Sequence, residues 1–139
     1  NTEIQRVQRL ISERSLANDV TITGKIENIA NSMLGADLVI IPSQDYESFA
    51  LTAVEAMLNE LPIVATNVGG IPETIGEDGR CGFLVNPDDV NSFSQKISYI
   101  IDNPEFSKNM GANGLSRALN VFDPKKMAHE YFKLTRTKL

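Results

Sequence analysis

The stretch from Asp37 to Met57 constrains the fold more than any other part of the chain. Leu38, Val39, Ile40 and Ile41 form a short apolar run that Pro42 stops, because proline has no N–H to donate to a central ladder. After a polar turn, Leu51, Val54 and Leu58 recur at helical spacing, with Ala53, Ala56 and Met57 filling the same face. The pattern predicts a buried strand over 37–41 and a helix from about Phe49, with Ser48 as its N-cap.

The same alternation runs through the rest of the sequence, which predicts a parallel sheet flanked by helices. Ile4, Val7, Leu10 and Ile11 mark an amphipathic first helix ending near Ala17. Asp19 to Thr23 reads as a short strand closed by Gly24, and Asn28 to Gly35 as a helix. Pro62 to Thr66 and Gly82 to Val85 read as further strands. Val90, Phe93, Ile97, Ile100 and Ile101 outline a helix that ends at Asn103-Pro104, and another runs from about Pro104 to Asn120. Asp123-Pro124 starts the last helix, with Asp123 as cap, Pro124 in the first turn, and Met127, Tyr131, Phe132 and Leu134 as its apolar stripe. No repeat or linker interrupts residues 1–139, so a single α/β domain with a Rossmann-like parallel sheet is expected. The predicted strand ends at Gly24, Ser43 and Asn67 share one edge, the carboxyl-end edge where open parallel sheets bind ligands.

Composition excludes several classes of partner. A net charge of -5 argues against a nucleic-acid footprint, which needs a basic face. A single cysteine, Cys81, gives no internal disulfide framework, so a reducing compartment is expected. No apolar run approaches the roughly 20 residues of a membrane span, and the first residues lack the form of a signal peptide. The expected location is the cytoplasm, with peripheral attachment at the inner face of the membrane as the variant for a longer protein.

Two glutamates, Glu47 and Glu55, bracket the predicted turn into the helix. At about 1.5 Å of rise per residue they stand roughly 10 to 12 Å apart along the chain path. Hydrolytic acid pairs sit about 5 to 9.5 Å apart across one bond, which disfavours a hydrolase dyad. A ligand with hydroxyls at both ends fits better, with its phosphate on the first free amides of the helix, from Phe49 to Thr52, at the positive end of the macrodipole.

In these residues the chain resembles the nucleotide-sugar-binding lobe of the retaining glycosyltransferases of family 4, which have the GT-B fold and belong to the glycosyl transferases of group 1. The resemblance is carried by Pro42-Ser43, Glu47-Ser48-Phe49-Ala50-Leu51, Glu55-Ala56-Met57, Leu61 to Thr66, Gly69-Gly70-Ile71-Pro72-Glu73, Asp78 to Val85 and Pro87-Asp88-Asp89. It includes a Glu-x7-Glu signature. Ala50 departs from the pattern, since the family usually has glycine there.

The resemblance implies transfer of a sugar, with retention and without an obligatory metal or other cofactor, from a UDP-, GDP- or ADP-sugar to a glycan, lipid or other acceptor, as in polysaccharide biosynthesis. Glu47 would accept hydrogen bonds from the donor sugar and orient its anomeric carbon, which makes it the candidate catalytic residue. Ser48, Phe49, Ala50, Leu51 and Thr52 would line the sugar and phosphate, largely through backbone amides. Glu55 would hold the ribose diol, as two carboxylate oxygens suit vicinal hydroxyls. Gly24, Lys25 and Ile26 match the position that holds the base. The resemblance further implies an acceptor lobe, first strands and a basic loop upstream that this chain does not contain, hence a donor-lobe fragment inactive on its own.

Other residues read as structural. Gly69-Gly70 reads as a turn, and Glu73, Asp78 and Gly79 as cap and turn residues. His129 is expected on a helix surface, and Cys81 as a spacer with no metal site. The alternative function is a non-catalytic α/β module that binds phosphate or nucleotide.

Overall fold

The computed structural model describes residues 2–76 and 78–136. Three parallel strands, β1 (Val39–Ile41), β2 (Ile63–Thr66) and β3 (Phe83–Val85), lie in sequence order β1-β2-β3. The register pairs Val39 with Ile63 and Ile41 with Ala65, then Val64 with Phe83 and Thr66 with Val85. Around them run α1 (Thr2–Glu13), α2 (Ile29–Met33), α3 (Leu51–Leu58), α4 (Ile71–Ile75), α5 (Val90–Asp102), α6 (Pro104–Val121) and α7 (Pro124–Arg136). The expected parallel sheet flanked by helices is present.

Every residue of β2 is buried, because helices cover both faces of the sheet. One face joins Ile41, Ile63 and Ala65 to Ala53, Ala56 and Met57 of α3, Ile71 and Ile75 of α4, and Ala118 of α6. The other joins Val64, Phe83 and Val85 to Ile100 and Met110, with Phe93, Ile97 and Phe106 at the margin. Alternate side chains of a strand point to opposite faces, so Ile63 and Val64 serve different cores. Helix α6 approaches α3 closely through small residues. A Cβ on Gly111 would lie 2.0 Å from the Glu60 carbonyl oxygen, and one on Gly114 would lie 3.0 Å from Met57 Cγ.

Several expectations are corrected. The first helix stops at Glu13, and Ser15 (φ 57) breaks it before Ala17. Residues 19–23 form no strand: 20–23 are irregular and exposed, and Val20 and Ile22 remain 40% and 42% accessible. A strand exists only with a ladder partner, and neither edge strand of the sheet pairs with this segment. Gly24 therefore ends no strand, leaving the Ser43 and Asn67 loops at the carboxyl edge of the sheet. Residues 71–75, which the sequence pattern assigns to no element, form a short helix with Pro72 in its first turn. The remaining elements lie within about three residues of the predicted ones, ordinary scatter for element ends.

Candidate functional site

Helix α3 begins later than its sequence suggests, and its start defines the site. Ser48 is not the cap. Ala50 occupies that position in the left-handed region (φ 54, ψ 58), and Leu51 is the first helical residue. This conformation costs a non-glycine residue about 1 to 2 kcal/mol, which accounts physically for glycine being usual at the position. Two hydrogen bonds and burial hold it. The Ala50 carbonyl accepts from Ala53 N at 2.8 Å. The Ala50 amide donates to Glu47 Oε1 at 3.3 Å, and the residue is buried, at 3% accessibility. The Glu47 carboxylate thus takes up one of the amides expected to be free. The amides of Leu51 and Thr52 open the helix at its positive end, where anions are favoured.

The loop from Ser43 to Ala50 is fixed from behind by β2, the 67–70 turn and α4. The Glu47 carbonyl accepts from Gly70 N at 2.7 Å. A Cβ on Gly69 would lie 2.1 Å from the Glu47 carbonyl oxygen, and one on Gly70 would lie 2.0 Å from that of Ser48. The turn can come this close to the loop backbone only because Gly69 and Gly70 lack side chains. The Thr66 hydroxyl, at the end of β2, donates to the Ser43 carbonyl at 2.5 Å, with a longer contact of 3.3 Å to that of Ile41. The Thr74 hydroxyl donates to the Phe49 carbonyl at 2.5 Å and lies 3.0 Å from that of Gly70. On the outer side, Gln44 Oε1 accepts from Asp88 N at 3.0 Å.

Glu47 and Glu55 are both half-buried, and Ser48, Phe49, Leu51 and Thr52 are exposed along the start of α3. Among the described residues the ion pairs are Glu3–Arg6 and Glu130–Lys133, so Glu55 has no cationic partner on a neighbouring element. Phe49 packs edge-on against Phe122, with centroids 5.5 Å apart. Clefts flank the loop on both sides. One, of about 340 Å³, is walled by Ile40, Pro42, Gln44, Thr66 and Phe93, and the other, of about 390 Å³, by Phe49, Leu51, Phe122 and Met127.

Gly24, Lys25 and Ile26 lie apart from this framework. They are exposed, and the side-chain hydrogen bond found there is local, from Thr23 Oγ1 to the Gly24 carbonyl. The structure therefore brings together Glu47 to Thr52 and Glu55, on one loop and one helix, but does not join the 24–26 segment to them. Sequence reasoning missed Thr66, Thr74 and the bracing role of Gly69-Gly70. The glycine pair was the available signal, whereas an isolated threonine after a strand gives none.

Away from the loop, Arg117 of α6 donates from Nε to the Thr74 carbonyl at 2.8 Å and from Nη2 to that of Glu73 at 2.6 Å, tying off the end of α4. Cys81 is buried beside it, and burial pushes the thiol up while Arg117 and Arg80 oppose the shift. No group of histidine, cysteine or acidic side chains among the described residues could hold a metal ion. No described helix is long and apolar enough to cross a membrane.

Comparison with known proteins agrees with this architecture. Among curated relatives, the chain is 37% identical over 123 residues to the MMP alpha-(1->4)-mannosyltransferase of Mycolicibacterium hassiacum, covering 87% of this chain and 30% of that protein. HepE of Anabaena, solved in complexes with UDP, with UDP-glucose, and with UDP and glucose, superposes with a TM-score of 0.91 in the UDP complex. It is 28% identical, over 98% of this chain and 37% of HepE. Sucrose-phosphate synthase from Thermosynechococcus elongatus superposes with a TM-score of 0.88 at 32% identity, over 99% of this chain and 34% of that one. The chain thus spans about a third of the length of these proteins. The neighbours share the GT-B fold. The model of the family described as glycosyl transferases group 1 matches residues 1–117, and the chain belongs to that family.

Proposed function

We propose that this chain is the donor-binding part of an enzyme that transfers a sugar, with retention, from a nucleotide diphosphate sugar to a glycan, lipid or other acceptor held by a separate lobe. The observation that carries the reading is the start of α3 at the carboxyl edge of the sheet, where Glu47 lies just before the helix and Glu55 one turn inside it. On this reading Glu47 orients the donor sugar. The amides of Leu51 and Thr52 and the helix dipole stabilise the charge that builds on the leaving phosphate. Glu55 accepts from the ribose hydroxyls, while Ser48, Phe49 and Ala50 shape the floor beneath sugar and phosphate. The Ala50 methyl is buried, so it narrows the floor less than an exposed one would. Gly24, Lys25 and Ile26 would reach the base once a neighbouring strand orders them.

The UDP and UDP-glucose complexes of HepE support a nucleotide-sugar ligand. Among the described residues, the cleft beside Phe49 and Leu51 is lined by one cation, Lys126, so the arginine and lysine that neutralise a diphosphate would come from a basic loop elsewhere in the enzyme. A polymer or lipid acceptor and a site of action at the inner membrane face belong to the same proposal.

Calorimetric titration with UDP, GDP and ADP tests it, with Glu55→Ala as the control that loses the ribose contact. Weak binding of one nucleotide by the chain, tighter binding by a longer protein that includes the upstream strand and basic loop, and loss of both in the variant are expected. Failure of the longer protein to bind any of the three would overturn the proposal in favour of a non-catalytic module.

A further inference from the structure

Two polar side chains stand out among the buried described residues, Thr66 and Thr74, each at 1% accessibility. They lie on different elements, β2 and α4, yet both direct their hydroxyls at the same loop. Thr66 holds the Ser43 carbonyl at the loop's entrance, and Thr74 holds the Phe49 carbonyl at its exit, next to the strained Ala50. Valine would fill either site with the same shape and no polar atom to satisfy, so a hydroxyl at each has a purpose beyond packing. Backbone carbonyls between elements are normally paired, and here the partners come from side chains 23 and 25 residues away.

We propose that Thr66 and Thr74 are positioning residues for donor binding, fixing the Glu47 carboxylate in the geometry that receives the donor sugar. Thr74 is the more direct of the two. Its bond sets the Phe49–Ala50 peptide, and that peptide's N–H is the one Glu47 Oε1 accepts. Without it, Ala50 can relax from the left-handed region and the Glu47 side chain loses its anchor. Glu55 lies farther along α3 and depends on neither hydroxyl, so the ribose end of the site stays in place. The effect of losing a threonine hydroxyl is therefore unequal along the ligand.

This inference rests on the donor-site reading, and the test separates the two. In the enzyme that carries this chain, affinities are measured for paired probes: UDP and UDP-glucose, GDP and GDP-mannose, ADP and ADP-glucose. Thr74→Val is expected to weaken the sugar nucleotide about tenfold, the effect of one lost positioning hydrogen bond, while the matching free diphosphate changes by less than about threefold. Thr74→Ser restores the hydroxyl and is expected to bind within about twofold of wild type. Thr66→Val follows Thr74→Val with a smaller ratio, since it acts at the loop's other end. A purely structural threonine would lower the melting temperature and the binding-competent fraction while leaving the ratio of the two affinities unchanged. If Glu55→Ala weakens both probes but Thr74→Val alters neither or both equally, the positioning role is overturned and the donor site stands. If Glu55→Ala has no effect on either probe, the donor-site reading itself is overturned.

Discussion

Gly70→Ala isolates how the Glu47 loop is held. Gly70 has φ −84 and ψ 0, at the edge of the right-handed region and at negative φ, so alanine is not forced into a glycine-only conformation there. The whole effect comes from the new methyl, whose carbon would lie 2.0 Å from the Ser48 carbonyl oxygen and 2.9 Å from its carbon. Ordinary contact requires more than about 3 Å, so the two backbones must separate by about 1 Å. That movement stretches the 2.7 Å hydrogen bond from Gly70 N to the Glu47 carbonyl. Overpacking of this kind costs about 1 to 3 kcal/mol, and the weakened hydrogen bond about 1 kcal/mol more. The stiffer unfolded chain returns about 0.4 to 1 kcal/mol. The net expectation is a loss of about 2 to 3 kcal/mol, or about 1 M in the urea midpoint for a domain of this size. Gly35→Ala is the control, because a Cβ there meets nothing within 4 Å. It should stay within about 0.5 kcal/mol of wild type. A Gly70→Ala midpoint matching that of Gly35→Ala would refute the argument that the glycine pair fixes the loop by contact.

Helix propensity and packing give opposite signs at Gly111, which makes it a useful second case. Alanine in place of a mid-helix glycine normally stabilises by about 0.5 to 1 kcal/mol. At Gly111 the added carbon would meet the Glu60 carbonyl at 2.0 Å, so Gly111→Ala is expected to destabilise by about 2 kcal/mol in urea unfolding. Gly114→Ala meets Met57 Cγ at 3.0 Å and its Cα at an ordinary 3.5 Å, a far milder contact, and should lie near neutral. Asp89 caps α5, accepting from Ser92 N at 3.0 Å and from its hydroxyl at 2.7 Å, and these bonds hold its carboxyl below the usual range. A depressed folded value means that the contribution is present above the unfolded value of about 3.9 and is lost as pH falls through the lower folded one. Asp89→Asn keeps the acceptor without the titration, so its urea midpoint should fall less than that of wild type between about pH 5 and about pH 3. An equal fall would show that the Ser92 bonds do not discriminate between the two protonation states.

The alternation of short apolar runs with helical patterns determined the α/β class, the parallel sheet and most of its helices, since burial on both faces of β2 requires the run Ile63-Val64-Ala65. The motif around Glu47 and Glu55 was likewise legible, as it is local in sequence. What the sequence could not decide was whether an apolar segment finds a partner. Val20 and Ile22 have strand character, yet among the described residues no strand pairs with them, because a strand depends on a neighbour and not on its own residues. The start of α3 is the same kind of case. Ser48 is the better local cap, but Thr74 on α4, Gly70 before it and Thr66 on β2 hold the loop so that Ala50 turns left-handed and the helix begins at Leu51. Sequence alone placed the two glutamates on a turn and a helix. Contacts made across more than twenty residues decided how the first of them is presented, because a backbone carbonyl takes whichever donor the fold brings to it.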